Sequence, residues 1–447
     1  MTSARSFTLR TTMDWERDDH TRTCVEVYYN DRGLEWDDSG QSAMPKDIYN
    51  APYARKGGIL RALGFEPGGS WLGKQYIRKN EPVHGFFLHI GTLPNTMIPY
   101  YRSDVLWLKI ASQVHDIEMI QYLRTAWDRW KGMPMENRCK FFRREKDGES
   151  DPAAVPALVP SNFAQRSEPG SKAGTDVHSQ TNWYHTDDET PVFEGLRETL
   201  ESDILVAFET HRSMLLWRDK KPQSRYFYSL VTHPGHHAGK SSIGGYCYVN
   251  IAALIAHLIL HPAYEDWRKK SKKYEKVAIL DVDYHCGNGT ISIFWDRPDV
   301  FVASIHADPS GDYPWNSGFA DQIGEGPGEG KTLNLPLTPG AGWAEYEKAL
   351  RAALAAIKDF GAEAIVVSLG LDTHRDDPVQ EKATAGMGLT SEDYFEMGKL
   401  LAGANLQLAF VQEGGYQVAV AGQLVAQVFR GVEAEFNRTL SRKRRLD

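Results

Sequence analysis

The stretch Lys276–Thr290, KVAILDVDYHCGNGT, constrains this chain more than any other. Val277 to Leu280 is a short apolar run of the kind that fills a strand buried on both faces. At its end Asp281, Asp283 and His285 occupy every second position, and in an extended chain alternate side chains share a face. Gly287 and Gly289 then turn the chain. Carboxylates massed just past a core strand are costly unless something positive offsets them. A bound cation is the simplest candidate, and a strand-end turn with solvated acids is the alternative. Other stretches decide between the two.

Elsewhere the pattern alternates. Strands are predicted at Tyr226–Val231, Val300–Ile305, Ala364–Leu369 and Gln407–Val411. Helices are predicted at His115–Trp130, Phe193–Leu216, Val249–Leu260, Trp343–Phe360 and Glu392–Ala402, from apolar residues at helical spacing and from stops such as Gly361. Strands alternating with helices imply a mostly parallel sheet covered on both faces, with sites at the carboxyl ends of its strands. The chain reads as one catalytic domain over 1–447. It carries an N-terminal extension (1–50), a Pro-, Gly- and acid-rich loop insertion (143–191) and a polar C-terminal tail (436–447).

Composition narrows the function. A formal net charge of −8 over 447 residues argues against a general nucleic-acid binder and suits a cationic substrate. Four cysteines without C-x-x-C spacing are neither a disulfide framework nor a thiolate zinc site, and point to a reducing compartment. The first residues lack the apolar core of a signal peptide. The longest apolar run, Val249 to Leu260, is too short to span a bilayer. A cytoplasmic protein without a membrane partner is expected.

Each strand is followed by polar chemistry. After Val231 come Thr232, His233, Pro234, Gly235, His236 and His237; Ser304 is followed by His306 and Asp308; Leu369 leads to Asp372 and His374; Val411 leads to Glu413, Gly414, Gly415 and Tyr416. One strand-end His or Asp is usually a cap or a solvated group, but all of them on one rim describe an active site. Asp283, His285 and Asp372 form a mixed oxygen and nitrogen set that suits zinc with an open position for water. His236 and His237 suit proton handling near neutral pH, and Tyr416 can offer a hydrogen bond to a developing oxyanion. Together they describe hydrolysis of an amide or ester.

These motifs are also those of a family. GHHAG at Gly235–Gly239, GGYCYVN at Gly244–Asn250, DVDYHCGNGT at Asp281–Thr290, SLGLDTH at Ser368–His374 and EGGY at Glu413–Tyr416 resemble the histone deacetylase superfamily, above all its bacterial acetylpolyamine amidohydrolase branch. The resemblance spans roughly residues 50 to 435. It implies the arginase–deacetylase fold, with Asp283, His285 and Asp372 as zinc ligands. It implies His237 as general base and acid, His236 as its electrostatic partner oriented by Asp281, and Asn288 as the partner of His237. Tyr416 would polarise the carbonyl and the Gly245 carbonyl would accept the substrate N–H. Tyr246 and Tyr313 would wall the tunnel. Asp281, Ser304 and main-chain carbonyls of Asp283, His285 and Ile305 would hold a structural potassium ion. Glu189 matches a loop acid that receives an ammonium group, whereas His178 stands where a second acid is expected. Two further departures are Cys286, in place of a histidine, and Thr232-His233-Pro234, in place of Arg-Pro-Pro.

The expectation is a zinc-dependent deacetylase of a small acetylated amine such as an acetylpolyamine, with self-association into a homodimer left open. The alternatives are a protein lysine deacetylase and a catalytically silent acyl-amine binder. An arginase-type enzyme would need two manganese ions and a D-A-H-x-D run, which the sequence does not contain.

Overall fold

The computed structural model describes residues 24–28, 51–63, 87–91, 104–134, 138, 157–218, 225–262, 273–380 and 386–443. Eight strands run parallel in one sheet: β1 (Cys24–Tyr28), β2 (Phe87–Gly91), β3 (Arg225–Ser229), β4 (Val277–Asp281), β5 (Val300–Ala307), β6 (Thr332–Leu337), β7 (Ala364–Leu369) and β8 (Gln407–Gln412). Their spatial order is β2-β1-β3-β8-β7-β4-β5-β6. The interior strands β4, β7 and β8 are buried along their whole length, as continuous Val, Ile, Leu and Ala runs require in a sheet covered on both faces.

The helices are α1 (Ala51–Ala62), α2 (Asp104–Ala111), α3 (Ile117–Lys131), α4 (Val177–Tyr184), α5 (Leu196–Trp217), α6 (Ile251–Leu260), α7 (Asn288–Phe294), α8 (Trp343–Phe360), α9 (Ser391–Gly403) and α10 (Val418–Lys443). Two apolar layers result. One, under α3, α5 and α6, takes Val277, Ile279, Val366 and Ala409 from the sheet. The other, under α8, α9 and α10, takes Ala278, Leu280, Ile365, Val367 and Phe410. The alternation of sheet residues between the layers is the period of two of a strand. α6 is apolar on every side and accordingly buried. α8 ends where Gly361 turns left-handed at φ 80°, a conformation glycine adopts freely.

Several sequence expectations need correction. The 1–50 extension contains β1, which pairs with both β2 and β3 inside the sheet. The polar tail is helical to Lys443, and Phe436 within it is buried. The insertion carries α4 and is tied down by mutual main-chain hydrogen bonds of Leu158 and Val192, both 2.8 Å; its first part, 143–156, lies outside the described residues. The first predicted helix starts at Ile117 rather than His115. The His115 ring instead clasps two loops: Nδ1–H donates to the Gly239 carbonyl at 2.7 Å and Nε2 accepts from the Asn250 N–H at 2.9 Å.

Candidate active site

The order β3-β8-β7-β4 places four strand ends side by side, so His236 and His237, Tyr416, Asp372, and Asp283 with His285 converge. The run after β4 is not extended. The strand stops at Asp281, and the chain folds back on its own carboxylates: the Asp283 N–H donates to Asp281 Oδ1 at 3.1 Å and the His285 N–H to Asp283 Oδ1 at 2.9 Å. Such Asx turns divide the three alternating groups. Asp281 points to His236, whose Nδ1–H donates to its Oδ2 at 3.0 Å. Asp283 and His285 join Asp372.

In that cluster one ligand atom from each residue lies within 4.8 Å of the others, all of them buried. His285 Nδ1 is 3.6 Å from Asp283 Oδ1 and 3.6 Å from Asp372 Oδ2. Ligands about 2.1 Å from a tetrahedral zinc ion are spaced about 3.4 Å apart. Asp372 Oδ1 accepts the Tyr284 N–H at 2.9 Å, while its buried Oδ2 has no hydrogen-bond partner among the described residues. Glycine keeps the space clear. A Cβ on Gly414 would come within 2.2 Å of Asp372 Oδ2 and 2.6 Å of Asp283 Oδ2, and one on Gly370 within 2.3 Å of Asp283 Oδ2. A buried carboxylate oxygen without a hydrogen bond, suitable spacing and a cradle without side chains fit a metal ion.

His237 stands beside this cluster. Its Nδ1–H donates to Asn288 Oδ1 at 2.7 Å, and its ring meets that of Tyr313 edge-on at 4.8 Å. Burial and then the charges of His236 and His285 hold its pKa well below the usual imidazole range. For His236 burial acts in the same direction, but the carboxylates of Asp283 and Asp281 outweigh it and hold the ring well above that range. Burial, then the neighbouring Tyr246, pushes the Tyr416 phenol up, so it stays a donor.

Three residues support the site: Glu413, which sequence marks only as a strand-end acid, and Arg55 and Asp187, to which it assigns no role. Glu413 Oε2 accepts from the Gly235 N–H at 2.6 Å and the His236 N–H at 3.1 Å, which fixes the turn bearing both histidines. Arg55 from α1 donates to the Gly415 carbonyl at 3.0 Å and lies 5.9 Å from the Tyr416 ring. It also reaches the Thr232 carbonyl at 3.5 Å, which ties α1 to the run before the two histidines. Asp187 accepts the Gly245 N–H at 2.5 Å. Only Glu413, within EGGY, had a sequence signal. Arg55 and Asp187 sit in stretches without periodicity.

The insertion is tied to the segment that carries Gly245 and Tyr246. The Thr186 N–H donates to the Ile243 carbonyl at 2.9 Å, the Tyr246 N–H to Thr190 Oγ1 at 2.9 Å, and the Tyr246 hydroxyl to Glu189 Oε2 at 2.8 Å. Tyr246, at φ 63°, faces the Tyr416 ring at 5.6 Å. Not every strand end serves this site. His306 bridges Ser304 Oγ (2.8 Å) and the Gly318 carbonyl (2.9 Å) inside the fold, Asp308 lines a separate cavity of about 280 Å³ with Leu337 and Met387, and His233 packs on Phe193 and Tyr248. Ser304 and Ile305 are buried on β5. Burial pushes the Cys286 thiol up, which leaves it unreactive, and His178 lies half-buried on α4.

A model of the histone deacetylase domain matches residues 94–432. The chain belongs to the histone deacetylase family. It is 38% identical over 325 residues to the acetylpolyamine amidohydrolase of Mycoplana ramosa, covering 73% of this chain and 83% of that protein. It is 35% identical over 321 residues to acetylpolyamine amidohydrolase 1 of Pseudomonas aeruginosa, covering 72% and 82%. Among solved structures, the acetylpolyamine aminohydrolase of Burkholderia pseudomallei superposes with a TM-score of 0.67 at 24% identity, over 92% of this chain and 99% of that one. That likeness shows the arginase–deacetylase sheet and helix arrangement for this family member.

Proposed function

We propose that this protein is a zinc-dependent amidohydrolase that removes the acetyl group from acetylated polyamines or similar small alkylamines. What supports the reading is the cluster of Asp283, His285 and Asp372 with His237 beside it, its ring 5.9 Å from that of His285. The named relatives supply the substrate class.

Asp283, His285 and Asp372 would hold the zinc ion, which when bound supplies Lewis acidity for polarising an amide carbonyl and acidifying water. The chain's own groups do the rest. The Asn288 amide oxygen can only accept, so the proton of His237 sits on Nδ1 and the Nε2 lone pair serves as base. His237 takes the proton of the attacking water and passes it to the departing amine nitrogen. His236, kept protonated by Asp281 and Asp283, contributes positive charge. The Tyr416 hydroxyl donates to the carbonyl oxygen as negative charge develops. The Gly245 carbonyl, already accepting from Cys247 Sγ at 3.3 Å, has a second lone pair for the substrate N–H.

Tyr246 and Tyr313 wall the acyl-bearing chain, and Glu189 receives a cationic end. The described part of the insertion, which borders Gly245 and Tyr246, favours slender substrates over folded proteins. A structural potassium ion would lie among Asp281, Ser304 and the main-chain carbonyls of Asp283, His285 and Ile305. In its support, the Ser304 hydroxyl donates to His306 Nδ1, because His306 Nε2–H donates to a carbonyl, and the serine oxygen keeps its lone pairs. A single domain acting in the cytoplasm suits the buried free Cys247 and Cys286; no described helix is long and apolar enough to cross a membrane. Turnover of acetylputrescine, acetylspermidine and an acetyl-lysine peptide by zinc-loaded protein tests the reading. The small amines should be favoured by at least tenfold in kcat/KM, about 1.4 kcal/mol of transition-state discrimination. Preference for the peptide would replace it with a protein deacetylase.

A further inference from the structure

Trp315 is the most exposed large apolar side chain of the described residues, at 59%. Its backbone sits at φ 56°, where a glycine would fit without strain and a bulky residue does not. The surroundings enforce this conformation. The Trp315 N–H donates to the Asp312 carbonyl at 2.9 Å. The buried Asp312 carboxylate accepts the Tyr313 N–H at 2.8 Å and the Tyr284 hydroxyl at 2.6 Å. Tyr284 lies between Asp283 and His285 in the chain, and its own N–H holds Asp372. The loop that presents the indole is thus pinned through one buried acid to the turn that carries the metal-site residues.

The indole also continues the wall of the site. Its ring meets Tyr313 edge-on at 5.2 Å, and Tyr313 meets His237 at 4.8 Å and His285 at 5.9 Å. An aromatic ring held in a strained conformation, largely exposed and one ring beyond the reacting centre, is pre-organised for a ligand rather than for the core. Indole is the strongest of the aromatic side chains in attracting a cation over its face, and the exposed Glu189 is bonded to the nearby Tyr246 and acts electrostatically on Tyr313.

We propose that Trp315 is a specificity-determining residue whose indole receives the cationic arm of the acylated amine, the ammonium lying over the ring. This rests on the reading of the site as an amidohydrolase for acetylated amines. A charged arm gains from the ring quadrupole as well as from apolar contact, whereas a neutral chain of equal length gains from contact alone. Trp315 thereby favours substrates that keep a positive charge beyond the tunnel.

The test compares the full-length zinc-loaded enzyme with Trp315→Leu and Trp315→Phe on an acetylated triamine and on an uncharged acetylated alkylamine of equal length. Trp315→Leu should lower kcat/KM for the triamine about 3- to 30-fold, mainly through KM, and shift the neutral substrate less than twofold; Trp315→Phe should fall between. Titrating the free triamine should change tryptophan emission in the parent enzyme and not in Trp315→Phe. A wild-type preference for the triamine that Trp315→Leu leaves intact, or an equal loss on both substrates, overturns the role of Trp315 alone. A wild-type enzyme that does not distinguish the two substrates overturns the cationic-substrate reading and the inference with it.

Discussion

His237 Nδ1 donates to the amide oxygen of Asn288 at 2.7 Å, while the adjacent His236 donates to the carboxylate of Asp281 at 3.0 Å. Two histidines next to each other in sequence are thereby made chemically different. The carboxylates of Asp283 and Asp281 keep His236 charged, whereas burial beside His236 and His285 keeps His237 neutral. His237→Ala should lower kcat by about 10²–10⁴ with zinc content unchanged. Asn288→Leu, which frees the wrong tautomer, should lower kcat about 10- to 100-fold. Steady-state kinetics beside metal analysis checks both, and a His237→Ala enzyme within threefold of wild type refutes the assignment.

Tyr416 should act on the transition state. Its buried hydroxyl stays protonated, and under the proposed reading it donates to charge that develops only during attack. Tyr416→Phe should cost about 10²–10³ in kcat while leaving the affinity for a product analogue nearly intact. If KM alone rises, Tyr416 is a binding residue.

Gly414 offers a purely steric test. Its Cβ position lies within 2.2 Å of Asp372 Oδ2 and 2.6 Å of Asp283 Oδ2, and its backbone φ is one that alanine can adopt. Gly414→Ala should therefore fold, by circular dichroism, yet bind zinc at least tenfold more weakly, a loss of about 1.4 kcal/mol or more. Full zinc occupancy with undiminished activity would show that the two carboxylates do not share one ion.

Away from the site, acid should destabilise the fold through buried neutral histidines. His211, on α5 against Phe208, has its pKa lowered to about 3 by burial and then by Arg212. Its unfolded form takes a proton below about 6.5, while the folded form does not until about pH 3, so stability is full above 6.5 and lost as pH falls between these values. At pH 5 this amounts to about 2 kcal/mol. Thermal melts of wild type and His211→Leu at pH 7 and pH 5 measure it. The variant should show the smaller drop, and parallel drops would contradict the buried neutral state.

What the sequence conveyed and what it hid follow from range. Ala364–Leu369 and Trp343–Phe360 are legible to the residue, because an apolar run centred on Ile and Val and a full amphipathic face are local signals. β6 was missed because TLNLPL mixes alternation with a proline on an edge strand. β1 and β2 lie in a stretch without clear periodicity, and only their neighbours make them strands. The C-terminal charges of SRKRR concealed a helix held by Phe436 and residues before it. At the site, motif residues clustered as expected, yet the alternation at Asp281, Asp283 and His285 suggested one shared face. The Asx turns that divide it depend on backbone donors that sequence does not display. Arg55 and Asp187 reach the site only through tertiary contacts.

The most direct measurement of the central claim is zinc stoichiometry, with acetylpolyamine turnover, in wild type and Asp372→Ala. Asp372 supplies the buried oxygen that lacks a hydrogen-bond partner among the described residues, so its loss should remove the ion and the reaction together. Wild type should retain one equivalent of zinc and release acetate. The variant should fold, hold well under one equivalent, and fall by at least about 10³ in rate. An Asp372→Ala protein that keeps a full equivalent of zinc and turns over substrate would contradict the account.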